Sequence, residues 1–191
     1  MHTLLQQIRS CTVCEKYLKA GVNPILSAHP ESKIIIIGQA PGRIVHQSGI
    51  PWSDKSGDNL RSWLGVDAAT FYNEKIIALV PMGFCYPGTG TSGDLPPRKE
   101  CAPLWHAPLM ELMKKKSLIL LVGQYAQNYY LQDQRKETLT ETVRQFKTYL
   151  PEYLPLPHPS PRNNIWQAKN RWFEKEVLPY LKKQVQKALN Q

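Results

Sequence analysis

Four consecutive isoleucines, Ile34 to Ile37, closed by Gly38, constrain this chain more than any other feature. β-branched side chains are stiff at χ1 and suit extended backbone. A run apolar at every position, rather than at every second one, belongs to a strand buried on both faces, as in a parallel sheet covered by crossover helices. Ile76 to Val80 and Leu118 to Val122 repeat the pattern, and Tyr153 to Leu156 is a shorter version. Helical patterns fill the intervals at Asp58 to Leu64, Pro103 to Lys115, Gln124 to Leu131 and Asn164 to Lys187, and a short helix at residues 3–10 leads into Cys11. Strands alternating with helices predict an α/β fold, with the ligand crevice at the carboxyl ends of the strands. The expected architecture is one three-layer α/β/α domain over residues 1–191, around a central, mostly parallel four-stranded sheet. With 191 residues and 42% apolar content, the chain can bury one sizeable core.

Between these elements, Gly21 to Pro30 reads as a surface loop and Gln132 to Thr142 as a polar, exposed excursion. Cys85 to Pro97, rich in Gly, Pro, Thr and Ser, reads as a long irregular loop of the kind that carries function or disorder. Nowhere do about 18 apolar residues run together, and the opening segment lacks the apolar stretch of a signal peptide. A soluble, cytoplasmic chain without a membrane partner is therefore expected. It is expected to be monomeric, since no amphipathic stretch is left over once the core is formed. Lys plus Arg number 24 against 15 Asp plus Glu, a net charge of +9 that favours a polyanionic partner. The run Lys114-Lys115-Lys116 is read as a solvated helix end.

Two loops concentrate rigid and permissive residues. After the first strand comes Gly38-Gln39-Ala40-Pro41-Gly42, where glycine allows close backbone approach and proline stiffens the turn. It has neither the GK[ST] of a phosphate loop nor the spacing of a dinucleotide fingerprint. Before the C-terminal helix comes His158-Pro159-Ser160-Pro161-Arg162-Asn163, one histidine framed by prolines that lower the cost of ordering the segment. The 4 cysteines stand as Cys11 and Cys14 in a CxxC, then Cys85 and Cys101. In a reducing compartment such thiols hold a metal or sit in the core rather than form disulfides. Thiolates suit zinc and iron-sulfur clusters alike.

The pairing of strand-GQAPG at the front with HPSPRN at the back resembles the two signature motifs of the uracil-DNA glycosylase superfamily, over nearly the whole chain. The cysteines resemble those of its iron-sulfur-containing microbial families 4 and 5. The resemblance implies a [4Fe-4S] cluster on Cys11, Cys14, Cys85 and Cys101, with structural zinc or no metal as the alternatives. It further implies a DNA repair enzyme that flips a damaged base out of DNA and hydrolyses its N-glycosidic bond. Gly38, Gln39, Ala40, Pro41 and Gly42 would line the base pocket, and Trp52, in Gly49-Ile50-Pro51-Trp52, would be the stacking platform. Core packing is the other reading of Trp52. His158 would donate to the departing base. Ser160, Pro161, Arg162, Asn163 and Gln124 would contact DNA.

The sequence departs from the pattern at three points. Gln39 and Ala40 stand where many relatives carry a carboxylate or asparagine, and neither can act as a base. Asp54, in Asp54-Lys55-Ser56-Gly57, is then the candidate for orienting water, although Asp54 or Asp58 can equally cap the following helix. Pro81 stands where family 4 places a base-reading asparagine, which leaves hypoxanthine and xanthine beside uracil as substrates. His46, between the first motif and Trp52, reads as a surface histidine or as a group touching phosphate or sugar. Two rival functions stand beside the glycosylase: a non-catalytic or covalent binder of damaged DNA, and a hydrolase or binder of free nucleosides.

Overall fold

The computed structural model describes residues 1–91 and 93–191; Ser92, inside the Cys85–Pro97 segment, lies outside the described residues. Its strands are β1 (Ile34–Ile37), β2 (Ile77–Leu79), β3 (Thr89–Gly90), β4 (Gly93–Asp94), β5 (Leu118–Val122) and β6 (Leu154–Leu156). Its α-helices are α1 (His2–Arg9), α2 (Arg43–Ser48), α3 (Lys55–Leu64), α4 (Ala68–Phe71), α5 (Cys101–Leu112), α6 (Gln124–Leu131), α7 (Leu139–Arg144), α8 (Asn164–Lys169) and α9 (Leu178–Leu189).

The main sheet runs β2-β1-β5-β6, and all of its pairings are parallel, so the expected mostly parallel sheet is wholly so. β1 is central: Ile34 to Ile37 pair with Leu118 to Leu121 on one side, and Ile34 to Ile36 with Ile77 to Leu79 on the other. Alternate residues of a strand face opposite sides, which explains the unbroken isoleucine run. Ile34 and Ile36 enter a core with Leu60 and Leu64 of α3 and Leu181 and Val185 of α9. Ile35 and Ile37 enter the other, with Leu109 of α5 and Ala126 and Leu131 of α6. Each fully buried isoleucine contributes about 1.5–3 kcal/mol over an exposed one, and all four are fully buried. Among the described residues no helix is long and apolar enough to cross a membrane.

Three expectations about the connections need correction. Gly21 to Pro30 is no surface loop: Ile25, Leu26 and Ala28 are buried, and Ser27 makes a two-bond antiparallel bridge with Leu79. The bridge occupies the outer edge of β2, whose backbone groups would otherwise lack partners. Gln132 to Thr142 is largely the exposed stretch expected, but it ends in regular structure: α7, started by a Thr138–Glu141 capping box, with Thr142 and Val143 buried. The helix expected over Asn164 to Lys187 is broken. α8 stops at Asn170, whose side chain donates to the Trp166 carbonyl, and a π-helix at Phe173–Val177 then leads into α9. The bounds of the other elements shift by a few residues: α3 starts earlier than the expected Asp58, and α5 runs Cys101–Leu112 instead of Pro103 to Lys115.

Candidate active site

Both signature loops leave the carboxyl ends of sheet strands, the first after β1 and the second after β6, and so meet at one end of the sheet. There they form a crevice of about 710 Å³ lined by Gly38 to Gly42, Trp52, Asp54, His158, Ser160 and Arg162. The first loop is fixed through its backbone: Met82 N–H donates to the Gly38 carbonyl at 2.9 Å and Gly83 N–H to the Gln39 carbonyl at 3.0 Å. Pro81, also in the lining, is held from behind. Its carbonyl lies 3.1 Å from Nε2 of buried His106, whose Nδ1 is 2.7 Å from the Tyr130 hydroxyl. A carbonyl only accepts, so Nε2 carries the proton and Nδ1 accepts from Tyr130. Burial pulls the His106 pKa down to about 4.

Trp52 is both wall and core: it lines the crevice and packs against the larger hydrophobic cluster. Gly38 is needed for this, because a Cβ there would lie 2.7 Å from Trp52 Cζ2. Gly57 is needed more, since its Cβ would lie 1.8 Å from the Trp52 carbonyl oxygen. The Trp52 backbone is left-handed, at φ 56°, which disfavours a bulky residue by about 1–2 kcal/mol. Its carbonyl accepts from the Tyr72 hydroxyl at 3.2 Å and from Arg61 Nη1 at 3.4 Å. Sequence reasoning missed both donors, because neither has a motif and each reaches Trp52 only through the fold.

His158 sits beside Trp52, their ring centroids 5.7 Å apart and tilted by 31°. Burial lowers its pKa, opposed by the negative charge of Asp54. Its carbonyl accepts from Asn163 Nδ2 at 2.7 Å, and the Pro159 carbonyl accepts from Asn59 of α3 at 2.9 Å. Gly123 is glycine for its backbone, at φ 85°, since a Cβ there would make only an ordinary contact, 3.7 Å from His158 Cβ. The amide of Asn163 is thus engaged within its own loop. Arg162 is exposed and lines the crevice, Ser160 accepts from the Arg162 N–H, and Pro161 is exposed. Gln124 lies outside the crevice, in a small polar depression with Arg135 and Lys136.

Asp54 is the cap: Oδ1 accepts from Gly57 N–H at 3.0 Å at the start of α3, and the residue also lines the crevice. Asp58 faces solvent and pairs with Arg61. His46 is half-buried, its Nε2 3.2 Å from the Ala20 carbonyl, and it is not part of the crevice lining. The carboxylate that the sequence did not reveal is Asp94. It lines the crevice from the β3–β4 hairpin, where the sequence suggested only irregular loop. Partial desolvation raises its pKa, opposed by a hydrogen bond from Tyr86 and by the charge of Arg162. A run of glycines and threonines ahead of Asp94 was its one sequence signal, and that run does not specify a direction.

The four cysteines gather at a corner beside the crevice. None is in a disulfide; Cys14, Cys85 and Cys101 are buried and Cys11 is half-buried. Burial raises the Cys14 and Cys85 thiols, and pushes Cys101 up to about 12, with charge on the neighbouring cysteines adding to the rise in Cys85 and Cys101. Among the described residues no three His, Cys, Asp or Glu side chains stand close enough to grip one metal ion. Beside Cys14, Arg98 Nε and Glu100 Oε2 are buried without hydrogen-bond partners, and the Arg98 guanidinium lies 4.1 Å over the Tyr17 ring. A buried polar atom without a partner is costly; Arg98 Nε has a proton to donate to a thiolate-bound group at this corner, whereas Glu100 Oε2 is an acceptor that such a group does not satisfy.

A family model described as the uracil DNA glycosylase superfamily matches residues 27–182, which takes in the sheet, both signature loops, Asp54, Asp94 and the last two cysteines. With a four-stranded parallel sheet flanked by helices and its two motif loops meeting in one crevice, the chain belongs to the uracil DNA glycosylase superfamily.

Proposed function

We propose that this protein is a monofunctional DNA glycosylase that flips uracil, or a related deaminated base such as hypoxanthine or xanthine, out of DNA and hydrolyses its N-glycosidic bond. The observation that carries this reading is the meeting of Trp52 and His158 in one crevice with the Gly38–Gly42 loop. An extruded base needs a flat surface and directed hydrogen bonds to offset the few kcal/mol lost on unstacking. Trp52 supplies the first. His158, neutral at pH 7 because burial lowers its pKa, donates one N–H to the base oxygen as negative charge develops there.

Hydrolysis then balances as follows: a water oxygen bonds to C1′ of the sugar, the C1′–N bond breaks, its electron pair leaves with the base, and the water's proton passes to a carboxylate. Asp54 is the candidate acceptor through Oδ2, since Oδ1 caps α3. Arg162, with Ser160, Pro161 and Asn163 around it, forms the DNA-binding rim, in which Asn163 acts by holding the His158 carbonyl, and Gln124 contacts DNA from its separate polar depression. Cys11, Cys14, Cys85 and Cys101 hold a [4Fe-4S] cluster in this proposal, in preference to zinc. When bound it supplies a cross-link between the N-terminal segment and the Cys85–Cys101 loop. The protein works as a single-domain, cytoplasmic monomer in base-excision repair.

The test is excision from labelled oligonucleotides carrying uracil, hypoxanthine or xanthine, in single strands and opposite each base, with alkali cleavage of abasic sites. Excision of one of these bases, reduced about 100 to 1,000-fold in His158→Ala, is the expected result. Gln39 and Ala40 in the lining keep the damaged-DNA binder as the second reading; tight lesion binding without excision by the wild-type protein favours it.

A further inference from the structure

We infer that Asp94 is a second carboxylate of the excision site, carried into the crevice by the hairpin between Cys85 and Cys101, where it holds the attacking water and faces the positive charge forming on the sugar. The inference rests on the glycosylase reading and goes beyond it, because it sets beside Asp54 a second proton acceptor, carried by the hairpin.

The first argument is place. Thr89 pairs with Asp94 and Gly90 with Gly93, and Thr89, Gly93 and Asp94 line the crevice together with the first signature loop. Two glycines make the approach possible. A Cβ on Gly42 would lie 3.2 Å from Asp94 Oδ2, and a Cβ on Gly93, which is at φ 137°, would lie 3.2 Å from Arg162 Nη1. The hairpin is therefore seated between the two motif loops, and its carboxylate lies beside Gly42, the residue just before α2.

The second argument is charge. Asp94 is faced by Arg43 from α2, by Arg162 from the His158 loop, by Asp54 from the start of α3 and by the Tyr86 hydroxyl. Yet none of the ion pairs within 4.0 Å found among the described residues involves Asp94. Its charge is steadied by two arginines at a distance rather than consumed by one in contact. Desolvation in the crevice raises its pKa, which makes it a better proton acceptor near neutral pH than an ordinary surface carboxylate.

The third argument is need. The first loop presents Gln39 and Ala40 to the crevice, and neither takes a proton. Asp54 has committed one oxygen to the Gly57 N–H. Of the residues lining the crevice, Asp54 and Asp94 are the two carboxylates, so Asp94 completes a pair of acceptors around the space left for substrate.

The experiment compares wild-type, Asp94→Asn, Asp94→Glu and Asp54→Asn protein in single-turnover excision, alongside affinity for DNA containing an abasic site. Asp94→Asn is expected to slow excision by about 100-fold or more, with abasic-site affinity within about threefold of wild-type and an unchanged melting temperature; Asp94→Glu recovers part of the rate. Wild-type excision with Asp94→Asn equally fast overturns the Asp94 assignment and leaves the glycosylase reading standing. A rate loss matched by an equal loss of DNA affinity also overturns it, since Asp94 then serves only to place Arg162. If the wild-type protein excises no base, the glycosylase reading and the Asp94 assignment fall together. Should Asp94→Asn not fold, Asp94→Glu alone decides, because a carboxylate displaced by one methylene must change the rate if it touches the water.

Discussion

The crevice has two unlike walls. One is made by loops that leave the sheet directly: Gly38 to Gly42 after β1, Pro81 after β2 and His158 after β6, each tied by short hydrogen bonds to a neighbouring strand end, to α3 or to His106. The other is the β3–β4 hairpin, which reaches the crevice from a segment whose ends are cysteines and, among the described residues, joins no other strand. The first wall inherits its position from the buried sheet. The second rests against the loops it approaches at Gly42 and Arg162. The difference teaches that one crevice can be built on two separate supports, a buried sheet and a short hairpin lying outside it.

Changes to the first wall measure how rigid it is, and Gly57→Ala should be the most damaging. Its new Cβ meets the Trp52 carbonyl oxygen at 1.8 Å, and backbone cannot swing aside as a side chain can. A loss of about 3 kcal/mol or more is expected in urea unfolding; wild-type stability would mean that the Trp52 peptide moves freely and that this wall is not rigid.

Next comes the buried His106 behind Pro81. Its pKa falls from 6.5 to about 4 on folding, so between those values the unfolded chain binds a proton that the folded chain does not. Stability therefore falls as pH drops through that interval, by on the order of 3 kcal/mol at its lower end, and His158 acts in the same direction. Urea midpoints taken from pH 7 to 4.5 should show this decline, and His106→Gln should flatten much of it. An unaltered slope in the variant would locate the decline in other groups.

Gly38→Ala probes the same wall more gently, since its Cβ meets only the Trp52 ring, at 2.7 Å. The ring must shift, and excision should drop by about 100-fold while the melting temperature changes little. The smallest effect is expected from Asn163→Ala, which removes the 2.7 Å bond to the His158 carbonyl. A cost of about 1 kcal/mol, read as a rate reduction below tenfold, fits a tether; a loss as large as that of His158→Ala would move Asn163 into direct contact with substrate.

The legibility of the two walls differs for the same reason as their rigidity. Ile34 to Ile37 and Leu118 to Val122 announced a buried parallel sheet, and the parallel-sheet rule put the ligand crevice at the carboxyl ends of its strands, which Gly38 to Gly42 and His158 both follow. Asp54 was legible as a helix cap, and it caps α3 from the crevice lining. The segment Gly21 to Pro30 misled, because its prolines and asparagine suggested solvent while Ile25, Leu26 and Ala28 are buried and Ser27 bridges to the edge of β2. Asp94 was invisible, as were Arg61 and Tyr72 on the Trp52 carbonyl, since no local pattern tells a turn-rich segment which neighbour it will touch.

What the sequence determined by itself was the set of elements and the end of the sheet at which chemistry happens, because strand burial, helix periodicity and loop rigidity are local properties of residue type and spacing. What the tertiary structure alone decided was which side chains share the crevice: Asp94 beside Gly42, Asn163 under His158, His106 behind Pro81 and Gln124 outside. Apart from Asn163 and His158, which share one loop, these placements bring together or separate residues far apart in the chain, and their geometry follows from how whole layers pack, which no single segment encodes.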